Sequence, residues 1–111
     1  MKSSPLESTL IMSTCPKNKA KELAYFLVQN RFAACVNLAS TVTSIYLWKD
    51  EICEEQESVL LIKTAQSKAQ ACIHALQQKH PYDVPEIISF PIDTQMSLQS
   101  YLDWIQSSTI E

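Results

Sequence analysis

The chain contains no glycine among its 111 residues. Phosphate-binding loops, the dinucleotide-binding fingerprint and the nucleophile elbow of hydrolases all need glycine for tight turns and close backbone approach. The absence of glycine therefore excludes these three motifs. It also requires other residues to occupy backbone positions with left-handed geometry, and asparagine and aspartate tolerate that geometry best.

Long apolar runs and a basic charge balance are missing as well. The longest uninterrupted apolar run, residues 23–28, is far shorter than the ~20 residues that a membrane span needs. The start of the chain lacks the apolar segment of a secretory leader. The net charge of -3 does not provide the basic field that binds nucleic-acid phosphates. We therefore expect a cytoplasmic protein with no membrane span and no nucleic-acid partner.

Cysteine is present at four positions, Cys15, Cys35, Cys53 and Cys72, but no two of them form a C-x-x-C pair. This spacing excludes a zinc ribbon and a thioredoxin-type motif. Cys35 and Cys72 fall on apolar faces of predicted elements, which suits buried, reduced thiols. A disulfide framework is the weaker interpretation for a cytoplasmic chain.

The spacing of apolar residues predicts alternating strands and helices in the first two thirds of the chain. Residues 9–14 are typical of a buried strand, and residues 18–30 carry apolar side chains at helical spacing. Residues 32–48 predict a long strand with a bend or bulge near residues 37–40, and residues 52–64 predict the strand that returns beside it. These two strands form a predicted hairpin.

The last third of the chain predicts a helix, a strand and a final short helix. Ser67 and Gln70 match a capping box, and Pro81 ends the helix that follows. Residues 86–92 predict a strand that suits a sheet edge, and residues 98–105 carry the apolar face of the final helix.

Two polar residues are predicted where glycine is usual. Asn30 is expected to end the first helix in the place of a C-terminal glycine. Asp50 is expected in the turn of the long hairpin, where glycine is often preferred.

The order of elements, βαββαβ followed by a helix, predicts an α+β fold. It is typical of a ferredoxin-like sandwich, in which two helices cover one face of a four-stranded antiparallel sheet. The long hairpin and the C-terminal short helix are additions to that plan. We expect residues 1–111 to form one domain, with residues 1–8 as a flexible N-terminus.

The hairpin is predicted to be much longer than the helices beside it. A strand over residues 33–48 spans about 50 Å at ~3.3 Å per residue, whereas a helix over residues 19–30 is only about 18 Å long at ~1.5 Å per residue. The far half of the hairpin carries the apolar residues 45–48. An exposed ribbon of this composition favours association, so we expect a homo-oligomer.

Several segments in a characteristic order point to a family. They are "AACVN" (33–37), "SIYLW" (44–48), "ESVLLIKT" (57–64), "HPYDVPEI" (80–87) and "YLDWI" (101–105). Together they resemble the CutA divalent-cation-tolerance family over roughly residues 9–106. The resemblance implies a ferredoxin-like homotrimer whose hairpins complete sheets between subunits. It also implies a non-enzymatic role in the response to divalent metals, copper especially, and a shape similar to the PII-type signal transducers.

The resemblance also implies positions for copper, which fall on Ser13, Lys79 and His80. Only His80 is a usual copper ligand among these three, and Cys15, two residues beyond Ser13, offers a thiol. We therefore take His80 and Cys15 as candidate metal ligands, with copper as the candidate ion and no cofactor required. The alternative is that His80 ends a helix and bonds a carbonyl or interacts with the helix dipole.

A second hypothesis is a PII-like signalling module that binds a small ligand or a partner protein in clefts between subunits. Its candidate cleft or interface residues are Tyr46, Trp48, Glu57, Lys63, Tyr82, Glu86, Tyr101 and Trp104. Glu86 is also a candidate ion-pair partner of Lys63 or a general base, but no nucleophile lies beside it in sequence. The acidic residues between 50 and 57 are interpreted as a solvated hairpin tip that resists aggregation.

Overall fold

The structure, a computed structural model, describes residues 6–110. Its elements in chain order are β1 (Ser8–Cys15), α1 (Lys17–Gln29), β2 (Cys35–Trp48), β3 (Glu51–Ala65), α2 (Gln66–Lys79), β4 (Ile87–Pro91) and α3 (Gln99–Ser108). The four strands form one antiparallel sheet in the order β2-β3-β1-β4. The predicted ferredoxin-like fold is confirmed.

The predicted flexible N-terminus, residues 1–8, overlaps the start of β1. Residues 1–5 of the segment predicted to be flexible lie outside the described residues. Ser8 is buried and begins β1, where it pairs with Ala65 of β3. The predicted flexible segment therefore extends too far along the chain.

The core lies between the sheet and the two long helices. Alternate side chains of the paired strands β1 and β3, including Ile11, Leu60 and Ile62, are fully buried against Leu27 of α1 and Leu76 of α2. Burial of each such side chain contributes about 1.5–3 kcal/mol. This core fixes the helices on one face of the sheet.

The four cysteines are free thiols at different depths. Cys15 and Cys72 are fully buried, as expected for Cys72, whereas Cys35 and Cys53 are half-buried. Cys35 is thus less deeply buried than the sequence predicted. It begins β2, where it pairs with Lys63 of β3.

The hairpin of β2 and β3 changes character at a bulge. Pairing is interrupted between Ala39 and Val42, and Thr41 takes a φ of 69° there. This confirms a predicted irregularity, slightly further along the strand than expected. Regular pairing resumes at Val42 and Glu57, and we call residues 42–57 the distal hairpin.

The distal hairpin ends in a two-residue turn. Trp48 pairs with Glu51, and the residues between them, Lys49 and Asp50, have φ values of 51° and 66°. Two successive positive φ angles define the type I′ turn that matches the twist of antiparallel strands. Asp50 therefore fills a left-handed position, as the sequence predicted.

The distal hairpin exposes apolar side chains on a molecule that measures 54 × 26 × 21 Å. Ile45 and Leu47 are each 68% exposed, and Ile52 is 77% exposed. The helices and the core surround only the other half of the sheet. The distal hairpin therefore contributes little to the core of its own chain.

Asn30 is the C-terminal cap of α1, as the sequence predicted, but it does not take the left-handed position. Asn30 has a φ of -99°, and Arg31 takes the left-handed position with a φ of 60°. The backbone N–H groups of Phe32 and Arg31 donate to the carbonyls of Leu27 and Val28, which is the Schellman arrangement. Asn30 stays on the last turn because both its backbone and its side-chain N–H groups donate to the carbonyl of Phe26.

The start of α2 also differs, because the predicted capping box of Ser67 and Gln70 does not form. The helix begins at Gln66, and no side chain caps it. The backbone N–H of Gln66 instead donates to the carbonyl of Glu7 at 2.8 Å. The chain that leads into β1 therefore supplies the partner that a capping side chain would otherwise give.

The helices found within residues 6–110 are too short or too polar to cross a membrane.

Candidate functional site

His80 lies directly after α2 and is buried, with both ring nitrogens in use. The backbone N–H of Tyr82 donates to His80 Nδ1 at 3.1 Å. Since an accepting ring nitrogen carries no proton, the proton is on Nε2, which lies 2.8 Å from the carbonyl oxygen of Thr14 and donates to it. The neutral ring therefore joins the end of α2 to the end of β1.

The residues predicted to bind metal do not fit a copper site as they are arranged. Neither nitrogen of His80 is free to bind an ion. Burial, with a smaller contribution from the charge of Glu57, raises the pKa of the Cys15 thiol to about 11, whereas metals bind the thiolate. Within residues 6–110, no group of three or more His, Cys, Asp or Glu side chains is placed to hold a metal ion.

The other two implied copper positions have different surroundings. Ser13 is fully buried, and its hydroxyl oxygen has no hydrogen-bond partner. The ammonium of Lys79 lies 4.9 Å from the ring centre of Phe26. Neither position supplies a usual copper ligand, so a copper site at His80 and Cys15 stays a prediction that requires both groups to be rearranged.

Glu57 is the centre of a hydrogen-bonded group where the distal hairpin meets the segment after α2. Its side chain is only 5% exposed. The Tyr82 hydroxyl donates to Glu57 Oε2 at 2.8 Å, and the Ser44 hydroxyl donates to Oε1 at 2.6 Å. The interpretation of Glu57 as a solvated acid is therefore wrong, because two hydroxyl donors replace water around its carboxylate.

Tyr82 links this group to His80. The two rings lie 4.9 Å apart between centroids. Burial, followed by the hydrogen bond to Glu57, raises the pKa of the Tyr82 hydroxyl, which therefore remains a donor at neutral pH. The "HPYD" corner thus fixes the base of the distal hairpin to the body of the molecule.

A cavity of about 670 Å³ opens beside Glu57. This volume is within the range of small-molecule sites. Five of the predicted cleft residues line it: Tyr46, Trp48, Glu57, Tyr82 and Glu86. The structure thus brings together most of the cleft that the second hypothesis requires.

Sequence reasoning missed other polar residues that line this cavity, namely Thr14, Ser44, Glu55 and Asp83. Strand alternation provides a signal for two of them. Ser44 lies opposite Glu55 in the hairpin register, on the same face as Tyr46 and Glu57. The Tyr46 hydroxyl donates to Glu55 Oε1 at 3.1 Å on that face.

The remaining cleft candidates, Lys63, Tyr101 and Trp104, lie outside the cavity. The ammonium of Lys63 donates to Asn37 Oδ1, and the exposed Glu86 accepts a long hydrogen bond of 3.5 Å from the Thr14 hydroxyl. The predicted pair of Lys63 and Glu86 therefore does not form. Tyr101 and Trp104 stack on α3 with 5.5 Å between ring centroids, outside the cavity.

The fold and this cavity define a ferredoxin-like protein with a recess at the base of a protruding hairpin. The family model described as CutA1 divalent ion tolerance protein matches residues 9–108. The chain belongs to this family, which confirms the resemblance found in its sequence.

Two relatives and one solved structure show the extent of the similarity. The chain is 42% identical over 97 residues to Protein CutA of Mus musculus, and the alignment covers 86% of this chain and 54% of the mouse protein. It thus spans about half the length of the mouse protein. It is 36% identical over 104 residues to the divalent-cation tolerance protein CutA of Thermus thermophilus, covering 94% of this chain and 99% of that protein. The PII-like protein CutA from Nostoc sp. PCC 7120 superimposes with a TM-score of 0.88 at 31% identity, covering 92% and 97% of the two chains.

Proposed function

We propose that the protein is a non-enzymatic homotrimer that serves divalent-ion tolerance by binding a small ligand in the cavity at the base of the distal hairpin. The observation that carries this proposal is the cavity itself. It has the volume of a small-molecule site, and its wall includes a buried carboxylate held by Tyr82 and Ser44. The PII-like description of the Nostoc protein supports the same kind of role.

The exposed distal hairpin supports the trimer. Its apolar side chains at positions 45, 47, 48 and 52 are more than half exposed and lie together at one end of an elongated molecule. The register places Ile45, Leu47 and Ile52 on one face of the hairpin, and exposed apolar surface of this kind is typical of a subunit interface. A neighbouring copy that covers the hairpin would also lie close to the cavity, which begins on the same strands.

The thiols support action in the cytoplasm. Cys15, Cys35, Cys53 and Cys72 are all unpaired. Free thiols persist in a reducing compartment.

Native mass spectrometry tests the assembly. We expect the wild-type protein to be a trimer and the variant Leu47→Asp/Ile52→Asp to be a monomer, because each change places a charge in the covered apolar surface. Met96→Asp is the matched control, since Met96 is 84% exposed and lies outside the hairpin. A wild-type monomer would contradict the proposal.

The same spectra, recorded with one equivalent of copper per chain, separate the ligand hypothesis from the metal hypothesis. We expect His80→Ala to leave copper retention unchanged, because both nitrogens of His80 already have partners. His74→Ala removes the exposed histidine of α2 and serves as the control. Loss of copper from His80→Ala alone would favour a metal site at His80 over the cavity.

A further inference from the structure

We propose that the cavity at the base of the distal hairpin binds an organic ammonium cation. This inference rests on the proposed function, because it names the ligand class of the same cavity.

The charge of the cavity wall determines the sign of the ligand's charge. Four carboxylates line the cavity, those of Glu55, Glu57, Asp83 and Glu86. Of the described residues that line it, none is lysine, arginine or histidine. The hydroxyls of Tyr46, Ser44 and Tyr82 donate to two of these carboxylates, but a neutral donor leaves the negative charge in place. The cavity therefore presents concentrated negative charge without an internal cation.

The aromatic side chains of the wall set the chemistry of that cation. Tyr46, Trp48 and Tyr82 line the cavity together with the apolar side chain of Val84. Aromatic faces attract alkylated ammonium groups, and these groups lose their weak hydration easily. A ligand that has both a positive charge and methyl or methylene groups would satisfy both parts of the wall.

Size and geometry argue against a bare metal ion in this cavity. A volume of about 670 Å³ is far larger than one ion needs. Calcium takes about six to eight oxygen ligands at close range, whereas the described residues contain no group of three candidate ligands placed for an ion. Carboxylates that are spread around an aromatic wall match a positive charge that is spread over a larger group.

Isothermal titration calorimetry of the intact protein with choline chloride tests the inference. The matched control ligand is 3,3-dimethylbutan-1-ol, which has the shape of choline with carbon in place of the charged nitrogen. We expect saturable binding of choline, binding of the neutral alcohol that is about tenfold weaker, and loss of choline affinity as sodium chloride is added. Equal binding of the two ligands would overturn the proposed ligand class while leaving a small-molecule cavity in place.

Two variants of β3 test which carboxylate attracts the bound cation. Glu55→Gln removes a carboxylate of the cavity wall and should weaken choline binding by roughly three- to fivefold. Glu54→Gln makes the same change on the opposite face of β3, outside the cavity, and should leave the affinity unchanged. Equal effects of the two variants would overturn the assignment of the cation to this cavity.

Native mass spectrometry of both variants keeps this test separate from that of the trimer. A trimer that fails to bind choline would overturn the ammonium inference and leave the assembly intact. A monomeric wild-type protein that binds choline, with the affinity reduced in Glu55→Gln, would support the inference and contradict the proposed trimer.

Discussion

The two halves of the hairpin are built from the same pair of strands but have opposite surroundings. Next to the core, Leu60 of β3 is fully buried under the helices. In the distal hairpin, Leu47 of β2 is 68% exposed, although its backbone pairs with Ile52 in the same kind of ladder. Pairing therefore sets the geometry of both halves, whereas the helices add apolar burial to only one of them. The distal half gains little apolar burial from its own chain.

The largest expected effect on stability comes from truncating a buried side chain in the half of the hairpin next to the core. Leu60→Ala should lower the free energy of unfolding by about 2–5 kcal/mol, because it leaves a cavity where a leucine is fully buried. Urea denaturation at a fixed chain concentration measures the change.

Leu47→Ala is the matched change on the distal side. In the separate chain it should change the free energy of unfolding by less than about 0.5 kcal/mol, since Leu47 is mostly in contact with solvent. An effect as large as that of Leu60→Ala at low chain concentration would show that the two halves share one core.

Alkaline pH should lower the free energy of unfolding, because the protein contains buried thiols. Burial raises the pKa of Cys72 to about 12 and, with the charge of Glu57, that of Cys15 to about 11, from 9.0. The folded protein therefore keeps protons that the unfolded chain releases, so this stability is complete below about pH 9 and is lost as pH rises through 11 to 12. We expect a loss of roughly 2 kcal/mol per thiol between pH 9 and 11.

Denaturation curves at the two pH values, recorded for two cysteine variants, check this expectation. Cys72→Ala should reduce the difference between the curves. Cys53→Ala, in the distal hairpin, should leave that difference as it is in the wild type. A difference that is insensitive to Cys72 would assign the alkaline loss to other groups.

Tyr82→Phe tests the contact that joins the distal hairpin to the corner after α2. It removes the hydroxyl that donates to the buried carboxylate of Glu57, which should cost about 1.5 kcal/mol of unfolding free energy. Thermal denaturation of the variant beside Tyr25→Phe, which changes an exposed tyrosine of α1, measures the effect. Similar melting temperatures for the two variants would mean that water replaces the hydroxyl at no cost.

A small gain in stability is expected at the left-handed positions. Asp50→Gly should raise the free energy of unfolding by about 0.5 kcal/mol, because glycine reaches positive φ without steric cost but is also freer in the unfolded chain. Arg31→Gly makes the same test in the body, where Arg31 has a φ of 60°. Chemical denaturation of both variants measures the change in unfolding free energy at each left-handed position. A loss of stability in both would show that Asp50 and Arg31 are favoured for other reasons.

The sequence predicted the elements and their order because apolar spacing records which face of each element is buried. The helix ends were less predictable, since they depend on distant backbone groups. Gln66 finds its partner in Glu7, far away in sequence, and the predicted cap of Ser67 is unnecessary. At the end of α1, side-chain bonding by Asn30 moves the left-handed position to Arg31.

The candidate site was predictable where it depends on strand alternation and not where it depends on the tertiary corner. Tyr46 and Glu57 share a face that the hairpin register implies. The use of both nitrogens of His80 was not predictable, because Thr14 and Tyr82 approach the ring only after β1 and the corner after α2 come together. In the fold, His80 joins the end of β1 to the corner after α2 through both ring nitrogens.

The different depths of the four thiols give the molecule sites for following its motions over time. A thiol-reactive reagent reaches the half-buried Cys53 of the distal hairpin directly, whereas Cys15 and Cys72 require part of the body to open first. The rates of modification at these positions would report the free energy of opening for each region, from exchange at the hairpin to opening beneath the helices. Slower modification of Cys53 when subunits assemble would then time the covering of the hairpin in solution.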